Sequence, residues 1–387
     1  MSQTKIDEWK EVELRLLTEK GYIRPFSALK REMKDNIPVY EQQNAIYNHR
    51  NFRYFIDQEK YNTLKRFTVQ ENDMVISCST LGRVTKIKKN DPIIISQALL
   101  ILRPDTGIVE PQYLKYFLSS KRFNSMVSRS SSVQVNLAKR PVIESIPFLL
   151  PPLPEQKNIT SVLSSFDDKI ELLREQNETL EKIAQTLFKE WFGKYSVDRP
   201  DELPEGWRVE LSELINHIKK SLMPATEMYS HYSIPFDNMT PSQDNEDILS
   251  SKYEVQANSF LVSKLNPTPR VWTVLDPMDN GVCSEFQVMK PKETNFFSYA
   301  YSILNSNTYT RSMMSAHTSS SHQRIKPSDI LDYEIIIPDE DKLTDYNNII
   351  LPMINKMDSN RSDIVQLSKT RDALLPKLMS GKVRVRF

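Results

Sequence analysis

The side chains that could do chemistry are few, and their spacing serves it poorly. Pro338-Asp339-Glu340-Asp341-Lys342 has the composition of a nuclease carboxylate cluster. Its acids are consecutive at a predicted helix start, where they favour the positive end of the helix dipole rather than converge on a metal. His317 and His322 sit in a serine-rich loop without a spaced acidic or cysteine partner, which is a weak basis for a nucleophilic triad. Cys78 and Cys283 cannot make a disulfide framework, and no Cys/His cluster has zinc spacing. There is no G-x-x-x-x-G-K-[ST] phosphate loop, and the seven glycines contain no G-x-G-x-x-G. Asn266-Pro267-Thr268-Pro269 lacks the aromatic position of an Asn-Pro-Pro-Tyr base-methylation loop. No catalytic residue, metal ligand or cofactor is therefore expected.

Elements must then be read for what they hold in place. With 387 residues, 39% hydrophobic and 26% charged, the chain has an ordinary globular composition with room for two or three domains. Its longest apolar stretch, Ile93 to Leu102, is broken by Ser96 and Gln97, and the N-terminus has no signal-peptide core. A cytoplasmic, soluble protein with no membrane partner is the expectation. The net charge of +1 hides an asymmetry: residues 1–150 carry 24 Lys+Arg against 16 Asp+Glu, whereas residues 201–338 carry 11 against 18. The first segment has the balance of a nucleic-acid binder and the second does not.

The chain repeats itself. Val69-Gln70-x-Asn72 followed by Met74-Val75-Ile76-Ser77 recurs, 186 residues on, as Val255-Gln256-x-Asn258 followed by Phe260-Leu261-Val262-Ser263. Trp9 with Val12-Glu13-Leu14 matches Trp207 with Val209-Glu210-Leu211, and the serine run Ser130–Ser132 matches Ser319–Ser321. Each copy ends in a heptad array. In the first, Leu163, Phe166, Ile170, Leu173, Asn177, Leu180, Ala184, Leu187 and Trp191 alternate by three and four. In the second, Tyr346, Ile350, Met353, Met357, Asn360, Ile364, Leu367, Arg371, Leu374 and Leu378 keep the same frame at an offset of 187.

Each array spans roughly 33 residues, about 50 Å of helix. Pro154 and Glu155 suit an N-terminus, Gly193 and Gly381 suit C-terminal caps, and Pro352 and Pro376 should bend or loosen the second helix. An antiparallel pairing of the two helices closes the chain with pseudo-two-fold symmetry near residue 175, which brings Asn177 opposite Asn360 as a register-fixing polar pair. The expected fold is α+β: two similar mixed α/β domains, each followed by a long helix, the helices forming an antiparallel coiled coil. The domains are placed at 1–152 and 195–338, the helices at 153–194 and 339–387 with the C-terminal tail. Predicted strands are Met74–Cys78, Ile93–Arg103, Val142–Leu150, Ser259–Ser263, Val282–Met289 and Leu331–Ile337; predicted helices within the domains are Pro111–Phe123 and Phe296–Ser306. Val197–Gly206 reads as a linker.

Leu150-Pro151-Pro152-Leu153-Pro154-Glu155-Gln156, continuing through Phe166-Asp167-Asp168-Lys169-Ile170 to Leu187-Phe188-Lys189-Glu190-Trp191-Phe192, resembles the central conserved region of type I restriction specificity subunits. Arg371-Asp372-Ala373-Leu374-Leu375-Pro376-Lys377-Leu378-Met379-Ser380-Gly381 resembles the C-terminal one, and the resemblance spans essentially the whole chain. It implies a non-catalytic subunit whose two domains each read half of a bipartite target on double-stranded DNA. The helices would set the spacing and dock two methyltransferase subunits, which recruit motor-nuclease subunits. An isolated chain exposing that docking face could self-associate.

The loops 129–140 and 317–326 combine short hydroxyls, amides and cations, the side chains that contact phosphates and base edges. They nominate Ser131, Gln134, Asn136, Lys139 and Arg140, and Ser320, His322, Gln323, Arg324 and Lys326, with a second cluster at Asn48, His49, Arg50 and Arg53. Three alternatives stay open: a coiled-coil adaptor whose duplicated domains bind proteins, a methyltransferase or nuclease acting alone, and a specificity subunit of another multi-subunit DNA-modifying system.

Overall fold

A computed structural model describes residues 9–23, 37–47, 52–77, 84–88, 93–96, 99–130, 140–195, 203–205, 207–209, 213–222, 229–232, 242–243, 251–264, 271–277, 279–315 and 324–385. Asn72 and Asn258, the last residues of the repeated Val-Gln-x-Asn turn, have φ of 69° and 55°. Asparagine tolerates this left-handed region better than most side chains, so the repeat preserves a backbone requirement. Each turn launches a strand buried along its whole length.

The chain divides into two compact units, residues 1–168 with 367–387 and residues 169–366. The first contains β1 (Lys10–Glu13), β2 (Thr18–Ile23), β3 (Ile37–Tyr40), α1 (Gln42–Tyr47), β4 (Phe55–Ile56), α2 (Gln58–Leu64), β5 (Met74–Ser77), β6 (Val84–Lys86), β7 (Ile94–Ile95) and β8 (Leu99–Pro104). It continues through α3 (Pro111–Leu118), α4 (Lys121–Ser130), α5 (Arg140–Glu144) and β9 (Pro147–Leu150) into α6 (Leu153–Phe192). The main sheet has the order β2-β8-β5-β6, a second has β4-β3-β7, and β1 pairs with β9. Alternate side chains of β5 and β8 feed two cores, as a period of two requires. Met74, Ile76, Leu100 and Leu102 pack with α3, Ile159 and Leu163, whereas Val75, Leu99 and Ile101 pack with Val39, Ile94 and Ile95.

The second unit repeats this plan. Its strands are β10 (Arg208–Val209), β11 (Ile215–His217), β12 (Ser221–Leu222), β13 (Ser230–Tyr232), β14 (Ser242–Gln243), β15 (Ser251–Glu254), β16 (Ser259–Ser263), β17 (Val271–Val274), β18 (Gly281–Cys283) and β19 (Phe286–Pro291). Then come α7 (Phe297–Leu304), α8 (Asn307–Ser315), α9 (Pro327–Leu331), β20 (Ile336–Ile337) and α10 (Glu340–Met379). The order β11-β19-β16-β17 corresponds to β2-β8-β5-β6, β10 pairs with β20 as β1 does with β9, and a parallel β13–β18 pair matches parallel β3–β7.

Several local expectations change. Val142–Leu150 is a strand only over Pro147–Leu150, because Arg140–Glu144 is helical, with Pro141 in the first turn where its missing N–H costs nothing. Leu331–Ile337 shrinks to Ile336–Ile337 because Pro327 opens a helix whose Asp329 carboxylate accepts from the Lys326 backbone N–H at 2.7 Å. Ile93–Arg103 and Val282–Met289 are each two strands. The helices α4 and α8 follow α3 and α7, with Ser120 Oγ accepting from Phe123 N at 3.2 Å and Ser306 Oγ from Tyr309 N at 3.1 Å. These serines are N-terminal caps. The linker Val197–Gly206 lies largely outside the described residues.

Both long helices have 40 residues, and α10 continues through Pro352 and Pro376. Within each unit their segments run antiparallel. In the first, Glu155 meets Arg384 and Asp167 meets Arg371; in the second, Ala184 meets Tyr346 and Asn177 meets Asn360. Gly381 takes φ +70° as a left-handed C-terminal cap, 3.7 Å from the Trp9 indole where a Cβ would sit. Gly193 is not left-handed; its N–H continues the helical pattern to Lys189 O at 2.8 Å. No helix among the described residues is long and apolar enough to cross a membrane.

Candidate functional site

The nominated residues fall unevenly on this scaffold. Asn48, His49, Arg50, Ser131, Gln134, Asn136, Lys139, Ser320, His322 and Gln323 lie outside the described residues. Arg140 opens α5. Arg53 is exposed, and its guanidinium makes a two-pronged pair with Glu41 at 2.9 and 3.0 Å, which raises its pKa. Asn44 Oδ1 accepts from Glu41 N at 2.8 Å, so this pair is fixed at the entry of α1, the helix that leads towards residues 48–50. Arg324 and Lys326 are exposed, immediately after residues 317–323 in the chain.

What the sequence reading missed is the buried network that holds Ile325, next to Arg324. Gln287, in the central strand β19, is 4% exposed. Its Nε2 donates to Ile325 O at 3.0 Å, which fixes the amide orientation, and its Oε1 accepts from Tyr253 Oη at 2.8 Å. His217 Nε2 lies 3.1 Å from the same Oε1, so that ring nitrogen carries the proton. Burial lowers the His217 pKa, leaving the ring neutral. The Ile325 N–H donates to Lys264 O at 3.0 Å. Thus β11, β15, β16 and β19 together hold the segment bearing Arg324. A glutamine inside an apolar strand run was the available signal.

Three cations gather there. Lys264 Nζ lies 4.3 Å and Lys220 Nζ 5.2 Å from the centroid of the Tyr253 ring, within the range of cation–π attraction. Burial first, then the charges of Lys220 and Arg324, push the Lys264 ammonium down to about 8.

The helix seats carry a repeated anchor. Trp9 Nε1 donates to Glu155 Oε2 at 3.0 Å, and Trp207 Nε1 donates to Asp339 Oδ2 at 3.0 Å. Asp339 Oδ1 also caps α10 by accepting from Lys342 N at 2.8 Å, so the acids at 339–341 serve the helix start. Among the described residues no group of His, Cys, Asp and Glu is arranged to hold a metal ion.

Along the helices, Ile170, Leu173, Met357 and Leu378 are buried, and Phe166, Leu180, Leu187, Trp191, Met353, Ile364, Leu367 and Leu374 are half-buried. Asn360, fully buried, donates from Nδ2 to Asn177 Oδ1 at 2.8 Å, while Asn177 Nδ2 donates to Met357 O at 3.2 Å. Asn360 Oδ1 has no partner. A buried amide pair of this kind penalises every register that separates the two side chains.

Comparison with known proteins bears on what these units do. Residues 6–182 match the type I restriction modification DNA specificity domain. The MjaIX type I restriction enzyme specificity subunit of Methanocaldococcus jannaschii is 27% identical over 346 residues, covering 81% of this chain and 77% of that one. The HindI specificity subunit of Haemophilus influenzae is 21% identical over 388 residues, covering 76% and 82%. A crystal structure of the S subunit of a type I restriction-modification system from M. genitalium covers 98% of both chains at a TM-score of 0.57 and 14% identity, a likeness of fold. Residues 6–182 thus carry the type I restriction modification DNA specificity domain, and over most of its length the chain is similar to specificity subunits of type I restriction enzymes.

Proposed function

We propose that this DNA sequence-specificity subunit recognises a bipartite duplex target, residues 1–152 reading one half and residues 195–338 the other. The helices at 153–194 and 339–387 set the separation and dock two methyltransferase subunits, through which motor-nuclease subunits join. The observation that carries the reading is the internal duplication, which extends from the left-handed Asn72 and Asn258 turns to the matched Trp9–Glu155 and Trp207–Asp339 anchors. A duplicated reader suits two half-sites, because each copy can diverge in the loops that face its own bases while keeping its seat. The nominated contacts are Asn48, His49, Arg50, Arg53, Ser131, Gln134, Asn136, Lys139 and Arg140 for one half, and Ser320, His322, Gln323, Arg324 and Lys326 for the other.

The test is co-purification with the methyltransferase subunit encoded beside this chain, then selection from a randomised duplex library at two salt concentrations. Two short motifs at fixed spacing are expected. A stable complex that enriches no sequence moves the weight to a protein-binding adaptor.

A further inference from the structure

The second recognition segment is acidic, with 11 Lys+Arg against 18 Asp+Glu over residues 201–338, which is unfavourable for a surface that must approach phosphates. Its cations are nevertheless not dispersed. Lys220 follows β11, Lys264 follows β16, and Arg324 is held next to Lys264 by the Ile325–Lys264 backbone bond. Lying 4.3 and 5.2 Å from one ring centroid, the two ammonium groups are at most 9.5 Å apart. None of the three cations has a carboxylate partner among the described residues, and Lys264 Nζ instead donates to Ser284 O. Gathering like charges without a direct ion pair costs repulsion in the free protein. That cost is recovered when an anion sits among them.

We propose that Lys220, Lys264 and Arg324 form a phosphate clamp that grips the DNA backbone beside the second half-site, with the Tyr253 ring as its floor. The proposal rests on the reading of residues 195–338 as a DNA-recognition domain. It explains how an acidic domain binds an acidic polymer: attraction is local, at the three cations, while the negative remainder disfavours indiscriminate contact. The geometry also gives the clamp a rigid foundation. Tyr253 is tied by its hydroxyl to Gln287, and Gln287 to the carbonyl of Ile325, so floor and arm are fixed by one buried amide. The other groups bearing on Lys264 are Glu285, which favours its charge, the Cys283 thiol, which burial pushes up to about 12 and so keeps uncharged, and His217, which is neutral.

The experiment uses the full chain in complex with its methyltransferase subunit and a fluorescent random-sequence duplex. Affinity is titrated against chloride concentration for the unaltered complex, for Lys220→Ala, Lys264→Ala and Arg324→Ala, and for the triple variant. Each removed phosphate contact should lower the slope of log affinity against log salt by about 0.9, so the triple variant should lose nearly three units of slope. Lys220 is exposed, so Lys220→Ala reports on the clamp even where a change at half-buried Lys264 disturbs folding. Raising the pH from about 7 to about 9 should weaken binding by the unaltered complex, because Lys264 loses its charge near 8, and should leave a Lys264→Arg complex nearly unaffected. Inorganic phosphate at matched ionic strength should displace little duplex; full displacement would reassign the cations to a free-phosphate site. Binding by the unaltered complex with unchanged slopes in the variants defeats the clamp alone, whereas absence of any duplex binding defeats the recognition reading with it.

Discussion

In the first unit the left-handed turn at Asn72 is stapled by charge. Asp73, its side chain fully buried, accepts a two-pronged pair from Arg103 at 2.9 Å through both contacts, and also accepts from Gln70 N at 2.7 Å. In the second unit the corresponding turn is held by single hydrogen bonds to Gln256, without an ion pair. Ser259 Oγ donates to Gln256 O at 2.7 Å, and Lys290 Nζ donates to Gln256 Oε1 at 3.2 Å. The helix seats differ as well. In the second unit Phe188, Trp191 and Phe192 pack against Tyr299 and Tyr346, with Phe192 and Tyr299 ring centroids 4.8 Å apart. In the first, the matched positions are Leu375, Leu378 and Met379, and a cavity of about 410 Å³ lies beside Phe117, Leu149, Leu375 and Met379. Backbone plan is therefore separable from the chemistry that secures it: one unit relies on an ion pair and aliphatic side chains, the other on single hydrogen bonds and edge-on or tilted aromatic rings.

The largest expected effect tests the seats. Phe192→Ala removes a ring from a filled cluster and should destabilise the second unit by about 3–5 kcal/mol. Met379→Ala only widens an existing cavity and should cost the first unit about 2 kcal/mol. Hydrogen exchange resolved by unit gives both values, since a chain with two cores need not unfold in one step. Equal costs would break the comparison. Next comes the turn. Asp73→Ala strands a largely buried guanidinium and should cost about 3 kcal/mol, whereas Ser259→Ala loses one neutral hydrogen bond, about 1 kcal/mol. Exchange protection of β5 against β16 reads the difference; a Ser259→Ala loss as large as that of Asp73→Ala would show that the turns share one mode of support.

Much of this plan was legible in the sequence because its determinants are local or periodic. Asn72 and Asn258 stand out as members of a repeated motif, and the three–four spacing of Ile170, Leu173, Asn177 and Leu180 marks a seam by arithmetic alone. The helix Arg140–Glu144 reads as strand in the sequence because Val142 and Ile143 favour strands and five residues carry no helical period, and Pro141 decides the matter only once its first-turn position is known. The Lys220–Lys264–Arg324 cluster was invisible for a different reason. Its members are 44 and 60 residues apart in the chain, and they meet only because β16 and β19 pair and Gln287 ties Ile325 to β19.

A gain of stability should follow from filling the unfilled seat. Leu375→Phe copies the residue found at the matched position, Phe188, and should stabilise the first unit by about 0.5–2 kcal/mol if the ring enters the cavity without displacing α3. The reverse change, Phe188→Leu, should loosen the second unit. A loss with Leu375→Phe would mean that the 410 Å³ space has the wrong shape for a ring, and that the aliphatic seat is packed to its own geometry.

The smallest effect separates the units by pH. His217 has a depressed pKa in the folded chain because burial outweighs its hydrogen bond to Gln287, while the unfolded chain binds a proton near 6.5. Below 6.5 the unfolded state therefore holds more protons, and stability falls with falling pH; above 6.5 the contribution is fully present. The strands that would feel this are β11 and β19, where His217 pairs with Met289 and reaches across to Gln287. The first unit has no histidine among its described residues and should keep its protection through the same interval. Hydrogen exchange from about pH 7 to about pH 5 should show β11 and β19 opening more readily while β2 and β8 hold. His217→Gln, which keeps a donor near Gln287 without a titrating ring, should remove the difference. Persistence of the difference in that variant would place the acid-sensitive group elsewhere in the second unit and leave the neutral network around Gln287 unconnected to it.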